Sequence, residues 1–346
     1  MHGQQWLFKI LLTGLVPVVT ALLVEVSLRI DGRYKDYNEA NGRPYISVYQ
    51  DSCRKEWSFR YPLGLKKIDI PKQEFAYSRT INDIGFTDHR SLGDIDTLPE
   101  KVVRILALGD SFTEGVGVTY EETWPRVLEN LLNQTNDNTR YMVYNAGVGG
   151  CDPFFEFQNL KLLDTLINPS VVINLVNSSD FEDVYLRGGW NRFKNDGTVE
   201  YEREAPGWEP VYRHSHLIRA ILRSVLGYNP ILTRSTAREI YNYSSPHIFE
   251  ALDSSESYCR TAHITWIPVF NPIPFNNTFD KEAIFNDSLF RSELRMRQEN
   301  FLDLSVAIYK CDLRTNFWKH DWHCTREGYD MFAREIFKHL QRAPFN

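Results

Sequence analysis

A serine, a histidine and an aspartate stand where they could form a nucleophilic site. Ser111 lies in Gly109-Asp110-Ser111, directly after the apolar run 102–108, and His323 and Asp321 come shortly before the last predicted helix. An activated serine needs a base, and the base needs a group that orients it. These residue types therefore predict acyl-transfer chemistry. The alternative is that Ser111 only caps the helix that follows it.

The elements around these residues predict an α/β fold. Apolar, β-branched runs alternate with amphipathic stretches along the chain. The predicted strands are 102–108, 141–144, 171–176, 264–270 and 301–304, and the predicted helices are 121–134, 153–166 and 329–340. Such alternation is typical of a parallel sheet with helices on both faces. The carboxyl ends of its strands form the edge at which ligands bind, and Ser111 would lie at that edge.

The amino terminus predicts a membrane anchor. Residues 6–24 are apolar, with Lys9 as their only charged residue, and their number is close to the roughly 20 residues that span a bilayer. No cleavage site follows, so the segment is interpreted as a single-pass signal anchor. The alternative is a buried core helix. Basic residues are denser after the segment than before it, which by charge alone favours a cytoplasmic location for the rest of the chain.

The remaining chain predicts two further regions. Residues 31–100 are polar, aromatic and rich in turn signals, which indicates a lead-in of short β elements with one strand at 75–81. Residues 101–346 form the predicted main domain, with an insertion at about 183–258 that contains one predicted helix at 216–226. An insertion this long could select the substrate, or it could be a surface elaboration without a chemical role.

Composition excludes several other classes of function. The 346-residue chain has a formal net charge of -6, so nucleic acid is not an expected partner. Its 5 cysteines form no CxxC pair, so no metal site is expected.

Four blocks in fixed order give the chain a specific resemblance. Gly109-Asp110-Ser111, the glycine turn 145–150, the polar block 177–180 and the Asp321/His323 pair follow one another as the blocks of SGNH/GDSL hydrolases do. The resemblance implies a three-layer, flavodoxin-like fold without metal or organic cofactor. It also implies that Ser111 is the nucleophile, His323 the base and Asp321 the acid.

The resemblance also implies an oxyanion hole. The chain departs from the family pattern at two positions, one in this oxyanion hole and one at the acid. The donors of the oxyanion hole would be the N–H groups of Ser111 and Gly150 and a side chain of the third block. Ser179 stands where the family has an asparagine, and Asn177 could substitute for it. Losing one such donor typically costs about a hundredfold in rate. The family's usual acid position is His320 here, and Asp321 resembles instead the Asp-x-His of related polysaccharide O-acetyltransferases and of some hydrolases.

The lead-in resembles a bacterial membrane-anchored subgroup of that family. Glu25 and Arg29 match a Glu-x-x-x-Arg at the end of its anchor, and residues 82–86 match its Asn-x-x-Gly-Phe segment. The subgroup implies an extracytoplasmic, periplasmic catalytic domain. The resulting hypothesis is a serine esterase that hydrolyses an acyl ester, such as an acetyl ester, on a glycan or lipid-linked substrate. The alternatives are a polysaccharide O-acetyltransferase and a catalytically weak or inactive binding or assembly subunit.

Overall fold

The chain divides into two compact units. The structure, a computed structural model, describes residues 2–40, 42–49, 59–64, 67–72, 74–91, 102–135, 139–273, 281–298 and 300–342. The first unit comprises Met1–Gln50 and Glu204–Ser235, and the second comprises Asp51–Arg203 and Thr236–Asn346. The predicted boundaries at residues 30 and 100 stay predictions.

The second unit is built on a parallel five-stranded sheet. Two further strands, which come first among the described strands, form a separate antiparallel hairpin. The strands are β1 Lys67–Pro71, β2 Ala76–Thr80, β3 Val102–Leu108, β4 Arg140–Asn145, β5 Val171–Asn177, β6 Thr265–Asn271 and β7 Leu302–Asp303. The main sheet has the order β4-β3-β5-β6-β7, with every neighbouring pair parallel. This is the flavodoxin-like order, so the predicted α/β fold is confirmed.

Helices cover both faces of this sheet. The first unit contains the helices α1 His2–Asp31, α2 Tyr37–Ala40, α7 Glu209–His214 and α8 His216–Ala220. The second unit contains α3 Ser111–Glu114, α4 Trp124–Asn133, α5 Pro153–Ile167, α6 Asp180–Arg187, α9 Ala237–Thr261, α10 Lys281–Arg297, α11 Ser305–Lys310, α12 Leu313–Asn316 and α13 Arg326–Arg342. Alternate residues of β3 divide between the two faces. Ile105 and Ala107 join the core with α4 and α13, while α5 and α9 contact strands β3 and β6.

Helix α9 was not predicted within the insertion at 183–258. The sequence predicted one helix there, at 216–226, but the 25-residue α9 occupies the end of that range and packs on β6 and α5. Its start carries a capping box between Thr236 and Glu239. The helix has Pro246 inside it and buries polar Ser244 and Ser255, so its apolar periodicity is weak. Packing against the sheet, rather than a regular apolar pattern of its own, stabilises this stretch as a helix.

The first unit contains the amino-terminal helix. In α1, the stretch Thr13–Asp31 has a mean hydropathy of 1.7 and no buried residue. Among the described residues it is the one helix long and apolar enough to cross a membrane, a test that a signal sequence also passes. The rest of this unit packs around a small aromatic-rich core with Tyr45, Tyr212, Leu222 and Leu232.

Candidate active site

Ser111 lies at the carboxyl end of β3, on a turn that requires glycine. Gly109 has φ +151°, and a Cβ there would meet the Thr113 hydroxyl oxygen at 2.2 Å. The Asp110 carboxylate caps α3 by accepting the Phe112 N–H at 2.9 Å. Ser111 is therefore the first residue of α3, at the sheet edge where the strands end. The residue that caps α3 is thus Asp110 and not Ser111, so the alternative role predicted for Ser111 does not apply.

The structure brings Ser111, His323 and Asp321 into one hydrogen-bonded line. His323 Nε2 lies 2.7 Å from Ser111 Oγ, and Nδ1 of the same ring contacts Asp321 Oδ1. Because a carboxylate only accepts, Nδ1 carries the proton and Nε2 accepts the serine hydroxyl. The Phe112 ring stacks on the imidazole, with centroids 4.9 Å apart. This is the geometry of a serine nucleophile with its base and orienting acid.

The short spacing between Asp321 and His323 depends on a left-handed residue between them. Trp322 has φ +66°. Its N–H bonds to the Trp318 carbonyl at 3.0 Å, and the His323 carbonyl accepts the Trp318 N–H at 2.9 Å. A bulky residue in this conformation is strained and persists only where its surroundings hold it. The turn lets an acid two residues before the histidine reach Nδ1. His320, at the usual acid position, is exposed.

Two residues of the lead-in hairpin contact the loop that contains Asp321, and neither was predicted from the sequence. Lys72 Nζ lies 2.6 Å from Asp321 Oδ2. Glu74, in the same turn between β1 and β2, accepts the N–H groups of His320 and Asp321 at 2.7 and 2.9 Å. Burial opposes ionisation of Asp321, but His323 and Lys72 outweigh it and hold the pKa of Asp321 well below its usual range. No motif could have revealed Lys72, since 249 positions separate it from its partner.

The glycine turn after β4 lies beside Ser111. A Cβ on Gly149 would be 3.6 Å from the Ser111 Cβ. The Gly149 N–H donates to Glu114 Oε2 at 2.6 Å, and the Gly150 carbonyl accepts from Arg187 at 2.8 Å. Within the described ranges, no hydrogen bond forms to the N–H of Ser111 or of Gly150. The oxyanion roles of these two N–H groups stay predictions.

Buried ion pairs hold this turn from two sides. Glu114 is buried and contacts Arg79 and the Tyr61 hydroxyl, and Arg79 donates to Tyr61 at 2.7 Å. On the other side, Arg187 and Arg192 both bind the buried Asp152, which caps α5. Burial opposes ionisation of Asp152, but the two guanidinium groups outweigh it and lower its pKa. The glycine turn is therefore fixed before any substrate arrives.

The third predicted oxyanion contributor has a local partner instead. The Ser179 hydroxyl donates to Asn177 Oδ1, which also accepts the Ser179 N–H at 3.2 Å. Asn177 is fully buried, and its side chain lies against Asp110, where it opposes the rise in the Asp110 pKa that burial causes. The oxyanion roles of Ser179 and Asn177 stay predictions. In this conformation the Ser179 proton is already bonded.

The described residues contain no group of histidine, cysteine and acidic side chains placed to hold a metal ion. At the carboxyl end of β3 the described residues place a hydroxyl, an imidazole and a carboxylate in one hydrogen-bonded line.

Comparisons with known proteins give distant structural likenesses. No family model and no curated protein matches the chain. A lipase from a goat rumen metagenome is 13% identical over 70% of this chain and 98% of its own, with a TM-score of 0.47. A lipase/acylhydrolase from Enterococcus faecalis is 12% identical over 70% and 96%, with a TM-score of 0.43. The esterase EstA from Pseudoalteromonas sp., inhibited by monoethylphosphonate, is 11% identical over 70% and 99%, with a TM-score of 0.40. Likeness at this distance carries no argument about activity, which depends on the site.

Proposed function

We propose that the chain is a serine ester hydrolase of the SGNH/GDSL type. The observation that carries this proposal is the 2.7 Å contact between Ser111 Oγ and His323 Nε2, with Asp321 bound to the other ring nitrogen. A serine that merely capped a helix would have no reason to meet an oriented imidazole. The order of the sequence blocks supports the same class.

The arrangement supports a two-step acyl transfer. Ser111 Oγ attacks the carbonyl carbon of the ester while His323 Nε2 takes the hydroxyl proton, and Asp321 stabilises the resulting imidazolium. The carbonyl oxygen becomes an oxyanion, which the N–H groups of Ser111 and Gly150 would bind. The alcohol leaves with the proton from His323. Water then attacks the acyl-enzyme by the same route and releases the carboxylic acid.

The proposed substrate is an acyl ester, such as an acetyl ester, on a glycan or a lipid-linked sugar. The proposed setting is a single-pass membrane anchor with the catalytic unit on the extracytoplasmic, periplasmic side. Its support is the apolar α1 and the resemblance of the lead-in to a membrane-anchored subgroup. A reporter fused to the carboxyl terminus tests the orientation. Reporter activity confined to the cytoplasm would contradict it.

A second candidate is an O-acetyltransferase. The Asp-x-His spacing of Asp321 and His323 resembles that of polysaccharide O-acetyltransferases and of some hydrolases, so it is compatible with both candidates. The first half-reaction is common to both candidates, and a sugar hydroxyl replaces water in the second. Hydrolysis of an activated acetyl ester by the full chain, with and without a glycan acceptor, distinguishes them. A transferase gives acetylated glycan at the expense of free acetate.

Covalent labelling of the full chain with a fluorophosphonate tests both enzyme candidates. The probe should label Ser111 in the native chain and fail to label the Ser111→Ala variant. Ser257→Ala, which changes an exposed serine of α9, is the matched control and should label normally. If the folded native chain takes no label, both enzyme candidates are wrong and the binding or assembly subunit is favoured.

A further inference from the structure

The first unit has an exposed apolar surface beside the end of the membrane-anchor helix. After α8 the chain continues as a π-helical turn, Ile221–Val225. Val225 is 74% exposed, Leu226 46%, Ile221 40% and Val211 of α7 55%. We call these four side chains the apolar surface of the α7–α8 segment. Large apolar side chains exposed within one short segment of chain are typical of an interaction site.

Direct bonds attach α8 to the last turns of α1. The Glu25 carboxylate accepts the N–H groups of His216 and Leu217, at 3.0 and 2.7 Å, and the Ser215 hydroxyl at 2.9 Å. Arg29 donates to the His214 carbonyl at 2.5 Å. The carboxylate thus caps the free N–H groups at the start of α8. These bonds give a physical reason for the Glu-x-x-x-Arg pattern at the end of the anchor.

A second set of bonds continues along the same side of the chain. The Tyr34 hydroxyl, just past the end of α1, lies 2.8 Å from the Ser224 hydroxyl of the π turn. Arg219 of α8 donates to the Tyr34 carbonyl at 3.0 Å and contacts Glu39. The segment is therefore fixed to α1 from Glu25 to just beyond its end, and it cannot move far from wherever α1 leaves the bilayer.

The length of α1 places this attachment in the headgroup region. Its 30 residues make a helix about 45 Å long, whereas the hydrocarbon core is about 30 Å thick and the bilayer with headgroups about 40–45 Å. If residues 6–24 span the core, the turns from Glu25 to Asp31 lie among the headgroups. Val26 and Ile30 in those turns are 53% and 82% exposed, so apolar surface continues past the predicted span.

We propose that the apolar surface of the α7–α8 segment lies in the lipid interface as a second, monotopic membrane contact. The occupant is the bilayer that holds α1, so the inference rests on the proposed anchor but not on the esterase activity. Exposed basic side chains occur in the same stretches of chain, with Arg213 in α7 and Arg33 after α1, where Arg33 also pairs with Asp31. Apolar side chains inserted beside basic ones are typical of segments that lie in an anionic membrane surface. An anionic bilayer would therefore take up the apolar side chains and attract the basic ones.

Depth-dependent quenching in the full chain tests this inference. The chain, with Cys53 and Cys311 changed to serine, is placed in nanodiscs that contain anionic lipid and nitroxide-labelled lipid. An environment-sensitive fluorophore is attached at Val225→Cys, or at Asn195→Cys, an exposed polar position in the second unit. The Val225 probe should emit at shorter wavelength and be quenched several-fold more than the Asn195 probe.

Three outcomes would contradict the inference, and each is distinct. If labelled lipid quenches the Val225 probe no more than the Asn195 probe, the apolar surface has no preferential contact with lipid. Quenching by a nitroxide on a second copy of the chain, but not by labelled lipid, would make the surface a self-association site. A chain that does not co-float with vesicles would exclude the anchor and the second contact together. Fluorophosphonate labelling of Ser111 in the same samples reports folding and the esterase proposal separately.

Discussion

The ammonium group of Lys72 lies 2.6 Å from Asp321 Oδ2, and the two side chains are only 5% and 0% exposed. This contact extends the line of Ser111, His323 and Asp321 to a fourth side chain from a distant hairpin. A buried carboxylate is costly unless it is paired, and without Lys72 the Asp321 carboxylate would lose the cation beside its Oδ2. The position of Lys72 therefore makes it a positioning residue that keeps the acid ionised.

Replacing Lys72 with methionine should move the acid limb of the pH–rate profile upward. Removing the positive charge favours the protonated form of the Asp321–His323 pair, and the reaction needs the deprotonated base. The expected shift of the acid limb of kcat/KM for an acetyl ester is about one pH unit, so the rate falls about tenfold at the lowest pH values and little on the plateau. Lys72→Arg keeps the charge and should restore most of the profile. A uniform loss at every pH would indicate a structural role only.

Replacing Ser179 with alanine should have little effect on turnover. Its hydroxyl proton is bonded to Asn177 Oδ1, so the oxyanion gains nothing from it in this conformation. We expect kcat to fall less than about threefold, whereas loss of a working oxyanion donor costs about a hundredfold or more. Initial rates at saturating ester measure the difference. A hundredfold fall in a variant that melts normally would establish Ser179 as an oxyanion donor.

Asp287 should make the second unit less stable as the pH rises. It is buried on α10, where the Ser178 hydroxyl donates to it at 3.0–3.1 Å, and burial raises its pKa to about 7. The folded chain therefore binds a proton that the unfolded chain releases near pH 4, so stability falls between about pH 4 and 7. The slope contributed by one proton is at most about 1.4 kcal/mol per pH unit.

The variant Asp287→Asn isolates this effect, because other buried acids titrate equally in both proteins. The melting temperature of the native chain in detergent should fall more between pH 5 and pH 7 than that of the variant. Equal changes in the two proteins would show that Asp287 ionises normally.

The central strands of the sheet, β3, β5 and β6, were predictable because each is a largely apolar run that local sequence specifies. β3 matches its predicted range, and β5 extends one residue past its own. The place of Ser111 at the sheet edge also follows from sequence, since it comes directly after a predicted strand, whereas the catalytic roles of Ser111, His323 and Asp321 stay predictions. Lys72, Glu74 and Arg79 could not be found this way, because their roles depend on partners that only the folded chain brings near. α9 was missed because buried serines hide its apolar face.

Replacing Glu25 with alanine should loosen α8 without affecting chemistry at Ser111. The change removes the acceptor of two backbone N–H groups and of the Ser215 hydroxyl. Loss of such a cap typically costs about 1–2 kcal/mol, equivalent to roughly a 5–30-fold increase in local opening. Hydrogen exchange of residues 216–218 in the nanodisc-bound full chain should accelerate by about that factor, because exchange reports local opening.

Two controls make the Glu25 result specific. Glu25→Gln keeps an acceptor oxygen but loses the charge, so its exchange rates should lie between those of the native chain and the alanine variant. Asp31→Ala removes an exposed partner of Arg33 on the same helix and should leave residues 216–218 unchanged. Hydrolysis of a small soluble ester should be the same in all four proteins. Unchanged exchange in Glu25→Ala would show that Glu25 does not hold α8, and the link between α1 and the apolar surface would then rest on the bonds of Arg29, Tyr34 and Arg219.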